Sequence, residues 1–237
     1  MNTTRAVLFV YRELDVKLRA GTWWRRRFHH RAGEQELDDA LHSFRGLPAL
    51  VEDLTSGAAS MVYRIVEVER PLTSLTRETP VRFWPSPRDT KPELEEFAPV
   101  GTCDSIFVWW PQRDDARKSA VPCDAWGLGM AASQWSNGAT YAAVANAPSS
   151  AWKNEARGEV WLHEWLHGVC AGFAARGFRM PTRDADGAEL HGYIRSPTQG
   201  WTEYYRDLMS GRVADGGAMT GIPLTAWNEP KRGIIPV

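Results

Sequence analysis

The sequence predicts an α+β fold: a mixed β-sheet with a backing helix, a second helix rich in chemistry, and an irregular, mainly helical C-terminal lobe. Three observations carry this expectation. Runs dense in β-branched and aromatic residues, Ala6 to Tyr11, Met61 to Val68 and Asp104 to Trp110, have the length and composition of strands. Leu37, Leu41, Phe44, Leu47, Val51 and Leu54 recur at three and four, the period of an amphipathic helix. A second helical pattern returns at Leu162, Trp165, Leu166, Val169 and Phe173. With 237 residues, 43% of them hydrophobic, the chain is long enough for one domain over 1–237. Its N-terminal lobe is expected to run to about 177 and its C-terminal lobe from about 178.

Taken in order, Ala6 to Tyr11 is the first strand, and Arg19 to Arg31 reads as a loop. Within it, the stretch 23–31 combines tryptophans with arginines and histidines, a composition that stacks on bases and tracks phosphates in some proteins. The solvated loop is preferred, because 28 basic residues stand against 29 acidic ones and the net charge is −1. The helix from Glu34 to Thr55 contains Pro48, which should kink or split it. Met61 to Val68 is the second strand, and six prolines between Arg70 and Pro99 suggest a wandering connection with a short strand at Val81 to Trp84. Asp104 to Trp110 is a buried central strand. Trp126 to Met130 and Thr140 to Ala145 bracket Asn137-Gly138 and suggest two more strands, with Tyr141 to Asn146 at a sheet edge bordering a cleft. A helix from about Glu155 to Ala175, stopped by Gly177, and a short one around Trp201 to Met209 complete the elements.

Bulk features narrow the partners. No apolar run approaches the roughly 18 residues that cross a bilayer, so no membrane partner is expected. The apolar start at Ala6 is too short for a signal-peptide core, and a cytoplasmic location is expected. Cys103, Cys123 and Cys170 form neither an even set nor a C-x-x-C pair, which argues against a disulfide framework.

The chemistry concentrates in His163-Glu164-Trp165-Leu166-His167. On a helix, residues four apart stand one turn above each other, so both imidazoles can grip one Zn2+ ion while Glu164 leans over it. At about 100° per residue these three share one arc, opposite the apolar residues. A carboxylate beside a zinc-activated water takes its proton, which makes Glu164 the candidate general base.

These residues resemble the H-E-x-x-H motif of the zincin metallopeptidases, whose plan of strands, helix and further strands, motif helix and C-terminal lobe is similar to the element order above. The resemblance implies a zincin-like fold. The metzincin extension is absent, since Cys170 and Phe173 stand at its glycine and third-histidine positions. Glu203 and Asp207 have the spacing of the later helix of gluzincins, while Asp207-Leu-Met209-Ser resembles the methionine turn of metzincins. Catalytic zinc takes three protein ligands plus water. His191 is the first choice for the third, Glu203 the second and Asp186 the third. Tyr193 is the candidate hydrogen-bond donor to an oxyanion. Asp184, Asp186 and Glu189 alternate like a calcium loop, which adds Ca2+ as a second metal reading.

The resulting expectation is a zinc metallopeptidase that hydrolyses peptide bonds in a peptide or protein substrate. Two alternatives stand beside it: a zinc amidase for a non-protein or modified-peptide substrate, and a non-catalytic metal- or nucleic-acid-binding module that uses the stretch 23–31.

Overall fold

The computed structural model describes residues 2–20, 24–146 and 155–229. Strands β1 (Asn2–Tyr11), β2 (Glu13–Ala20) and β3 (Trp24–Arg31) precede helix α1 (Glu34–Leu54). Strands β4 (Ala59–Val68), β5 (Thr76–Thr79) and β6 (Arg82–Trp84) lead to α2 (Lys91–Phe97). Then come β7 (Ser105–Trp110), β8 (Arg113–Asp114), β9 (Ser119–Ala120), β10 (Gly127–Met130), β11 (Thr140–Ala145) and α3 (Glu159–Ala175). Helix α4 (Thr202–Leu208) and the hairpin of β12 (Val213–Asp215) and β13 (Ala218–Thr220) follow. The architecture is mixed α+β, built on one five-stranded sheet in the order β10-β11-β7-β1-β4. Four of its strands run parallel, and only β10 at one edge is antiparallel.

A parallel sheet must be covered on both faces, and the two-residue period of β1 assigns its side chains accordingly. Leu8 and Val10 join Phe107, Trp109, Ala142 and Val144 in a core closed by α1 and α3. The Phe44 ring of α1 meets Phe107 of β7 edge-on at 5.2 Å and Trp161 of α3 at 5.0 Å, contacts that add about 0.5–1.5 kcal/mol each beyond the area they bury. Val7, Phe9 and Tyr11 point the other way, into a core with Ile106, Val108 and Trp110. The hairpin β2–β3 covers this second face with Leu14, Val16 and Phe28, and α2 adds Leu94.

Several expectations need correction. Residues 19–20 and 24–31 of the stretch expected as a loop pair in the hairpin β2–β3, in which the apolar Leu14, Val16, Leu18 and Phe28 alternate with charged residues and fill the second core. Trp23 lies outside the described residues. Pro48 sits inside a continuous α1. The connection 70–99 contains β5 and α2, whose start carries a proline in its first turn, where a missing N–H costs nothing. Strand β11 is internal; the sheet edge is β10. Helix α3 begins at Glu159 rather than near Glu155. Among the described residues, no helix is long and apolar enough to cross a membrane.

The C-terminal segment packs under α3. Trp227 stacks on Trp165 at 6.2 Å, meets Phe173 at 5.1 Å and donates from its indole nitrogen to the carbonyl of the buried Met209. This clamps the apolar side of α3 and leaves its polar side to the cleft.

Candidate metal centre

Helix α3 is buried almost all round, with Trp161, Leu162, Trp165, Leu166 and Cys170 within the core. Its polar side lies against strand β10, and glycines set how close the two come. A Cβ at Gly127 would stand 2.5 Å from Cγ of Glu164, and one at Gly129 would collide with the backbone oxygen of Glu164. From the helix side, a Cβ at Gly168 would stand 2.5 Å from the carbonyl oxygen of Met130. The Gly-Leu-Gly pattern of β10 therefore gives Glu164 its slot and seats the helix on the strand.

His163 and His167 lie on one side of α3, ring centroids 5.0 Å apart. The third partner comes from the short 3-10 turn at Asp184–Asp186. His163, His167 and Asp186 each offer one ligand atom, and these atoms lie within 4.8 Å of one another. Nε2 of His163 is 3.4 Å from Oδ1 of Asp186, and Nε2 of His167 is 3.9 Å from Oδ2. The far nitrogens are held as well. Nδ1 of His163 bonds the Tyr205 hydroxyl at 2.7 Å, and Nδ1 of His167 bonds Oδ1 of Asp184 at 2.7 Å. Holding Nδ1 in this way fixes each ring with Nε2 facing inward, the orientation a metal ligand needs.

The turn that delivers Asp186 is entered through two residues in left-handed backbone, Arg183 at φ 66° and Asp184 at φ 31°. Such conformations cost about 1–3 kcal/mol each and persist only where neighbours impose them. Here Tyr204 donates its hydroxyl to the carbonyl of Asp184, and Asp184 also accepts from the Ala185 N–H at 2.5 Å.

The charges are mutually adjusted. Burial opposes protonation of His163, but Asp186 and Glu164 outweigh it and raise its pKa. Burial likewise opposes protonation of His167, and the hydrogen bond to Asp184 reverses the balance. The hydrogen bond from His163 holds the Asp186 carboxyl below its ordinary range. Glu164 is buried, and burial raises its pKa despite the nearby imidazoles. Its Oε1 lies 3.9 Å from Nε2 of His163. The carboxylates of Asp184, Asp186 and Glu164 around the two imidazoles make this a place where a cation is favoured, and a dication can supply that charge.

The donor set fits zinc. Tetrahedral bonds of about 2.0–2.1 Å place ligand atoms about 3.3 Å apart, within reach of the separations seen here. Two imidazoles and one carboxylate suit zinc, whereas calcium takes about 6–8 oxygens. The calcium pattern at Asp184, Asp186 and Glu189 does not assemble: Asp184 turns to His167, Asp186 faces both histidines and Glu189 is exposed.

His191, the first choice for the third ligand, stands outside the trio. Its ring nitrogens lie 3.2 Å and 3.1 Å from the carbonyl oxygens of Ala214 and Thr182, and the ring stacks on Tyr204. Glu203 is exposed on α4 and does not line the cleft. Tyr193 donates to Oδ2 of Asp207 at 2.7 Å and is also absent from the cleft wall. Sequence reasoning passed over the glycines of β10, and it read Asp184 as part of a calcium loop rather than as the partner of His167. Tyr205 was visible as a helix-packing residue or an oxyanion donor rather than as the partner of His163, whereas two glycines alternating in a strand were a signal for close backbone approach.

A cleft of about 650 Å³ opens over the trio, lined by β10 and by Arg195 and Trp201 among others. No protein-family model matches the chain, and a search of curated proteins finds no match.

Proposed function

We propose that this chain is a zinc-dependent hydrolase of peptide bonds with a zincin-like catalytic domain. The observation that carries it is the convergence of His163, His167 and Asp186 beside the buried Glu164, at the floor of a cleft walled by a sheet-edge strand. A zinc ion, when bound, supplies Lewis acidity that polarises a carbonyl and acidifies a water. Glu164 accepts the water's proton as its oxygen adds to the carbonyl carbon, then returns that proton to the departing amine nitrogen. Burial raises its pKa, which makes the carboxylate a stronger acceptor for that proton. Tyr205 and Asp184 hold the two imidazoles in register. Along the cleft wall, β10 pairs among the described residues with β11 on one side only, so its outer edge offers backbone groups to an extended peptide.

The test is Glu164→Gln, with zinc content and hydrolysis of an unstructured protein substrate measured on the same preparation. Zinc should stay at one per chain while hydrolysis falls by about 10²–10⁴-fold. Undiminished hydrolysis, or wild-type protein that binds no zinc, overturns the reading.

A further inference from the structure

The cleft contains a cation that the hydrolytic chemistry leaves unused. Two guanidinium groups line it, Arg82 and Arg195. Arg82 is committed: its Nε lies 2.6 Å from Oδ1 of Asp124, and it also faces Glu78 at 3.8 Å. Arg195 is exposed and, among the described residues, makes no hydrogen bond or ion pair.

Its backbone is nonetheless anchored. The next residue, Ser196, bridges to Gly200 in a closed turn. That turn is tied to the segment leading into α3: the Glu155 N–H donates to the Thr198 carbonyl at 2.9 Å, and the Gln199 amide donates to Oε2 of Glu155 at 2.8 Å. Beyond it, the Trp201 N–H donates to Oε1 of Glu159 at 3.1 Å. A guanidinium with no partner among the described residues, next to a pinned turn, is available to an anion, and its planar fork matches a carboxylate. The carboxylates in the same cleft do not compete for it. Asp184 is held by His167 and Asp186 by His163, while Glu159 accepts from Trp201 and Glu164 lies buried beneath the cleft.

We infer that Arg195 is the specificity residue of this cleft and binds a carboxylate on the substrate near the bond to be cleaved. This rests on the hydrolase reading above. The carboxylate has two sources, an acidic side chain or the C-terminus of the peptide.

Four versions of one fluorescent peptide separate these sources: Glu or Gln near the central bond, each with a free or an amidated C-terminus. Binding is measured by anisotropy in zinc-loaded Glu164→Gln protein, with Arg195 intact or changed to Ala or Lys, and cleavage is measured with Glu164 restored. With Arg195 intact, one carboxylate version should bind about tenfold more tightly than its neutral counterpart, a preference that weakens as salt rises. In Arg195→Ala the ratio should fall to about one, and Arg195→Lys should restore part of it. A preference in the Glu/Gln arm assigns the side chain; one in the acid/amide arm assigns the terminus. A ratio unchanged by Arg195→Ala, or the absence of any preference, overturns the inference. Cleavage without preference removes Arg195 and leaves the hydrolase, whereas preference in binding without cleavage by the restored protein does the reverse.

Discussion

His29 and His30 on β3, and His163 and His167 on α3, are both close pairs in sequence, each set among charged and aromatic residues. Their fates differ because spacing acts through the period of the element. Neighbours on a strand point to opposite faces. His29 turns outward to Glu13 at 2.9 Å, while the half-buried His30 turns inward, 3.3 Å from Glu36 and 3.6 Å from Asp114. Residues four apart on a helix share a face, and His163 and His167 converge on Asp186. Two cations of β3 are also paired along the hairpin: Arg27 with Asp15 at 2.5 Å, and Arg31 with Glu13 at 3.0 Å. Such cross-strand pairs reduce the field that these two arginines offer a polyanion; the side chains of 23–26 lie outside the described residues.

The sharpest way to break this contrast is to remove one histidine from each region. His167→Ala should weaken zinc binding about a thousandfold, beyond the roughly 10–100-fold that follows loss of a residue merely supporting a ligand. His30→Ala should leave zinc affinity within about twofold, since only His163, His167 and Asp186 form a metal-competent group among the described residues. Competition titration against a chromophoric chelator reads both. Equal losses in the two variants would mean that the zinc site has been drawn in the wrong place.

A second contrast lies within the α3 region itself, between glycines that meet β10 and one that meets nothing. Gly129→Ala forces a Cβ against the Glu164 backbone, so helix and strand must separate. The expected loss is about 2–3 kcal/mol, or roughly 4–10 °C in Tm for a chain of this size. Gly172 lies on the exposed side of α3, where a methyl group in place of its hydrogen would have nothing within 4 Å, and Gly172→Ala should stabilise by about 0.5–1 kcal/mol. Thermal melts of the two variants should therefore move in opposite directions; a shift of both in the same sense would show that close seating on β10 does not govern the helix.

These contrasts also explain what could be read from the sequence. Periodic signals act within one element and were legible: the face shared by His163 and His167, the apolar stripe of α1, and the buried run of β7. The hairpin β2–β3 carries its period too, but charges on its outer face mask the alternation of Leu14, Val16 and Leu18. The third member of the trio is different in kind. Asp186 reaches the histidines only because Arg183 and Asp184 adopt left-handed backbone, imposed by contacts with Tyr204. His191 lies five residues further along, and its ring is taken up by two carbonyls. No spacing rule distinguishes Asp186 from His191 in advance, since the choice is made by the path of a turn.

The smallest expected effect tests the inward-facing side of β3. Glu36 accepts from the Gly33 N–H at 2.9 Å at the start of α1 and from the Asn146 amide at 2.7 Å, and it lies beside His30. Burial alone would raise its carboxyl pKa, but the imidazole of His30 and these donors outweigh it and the pKa is lowered. A carboxyl held below its unfolded value contributes stability above that value and loses it as pH falls through the folded one. Glu36→Gln should therefore cost about 1 kcal/mol at pH 7, a figure already discounted for the partial exposure of the side chain, and less at an acid pH below the ordinary carboxyl range. Urea titrations of both proteins at the two pH values measure the gap. A gap that stays constant with pH would mean that Glu36 acts through packing alone, and that the charge pairing which sets this histidine apart from the metal-facing ones contributes nothing to the fold.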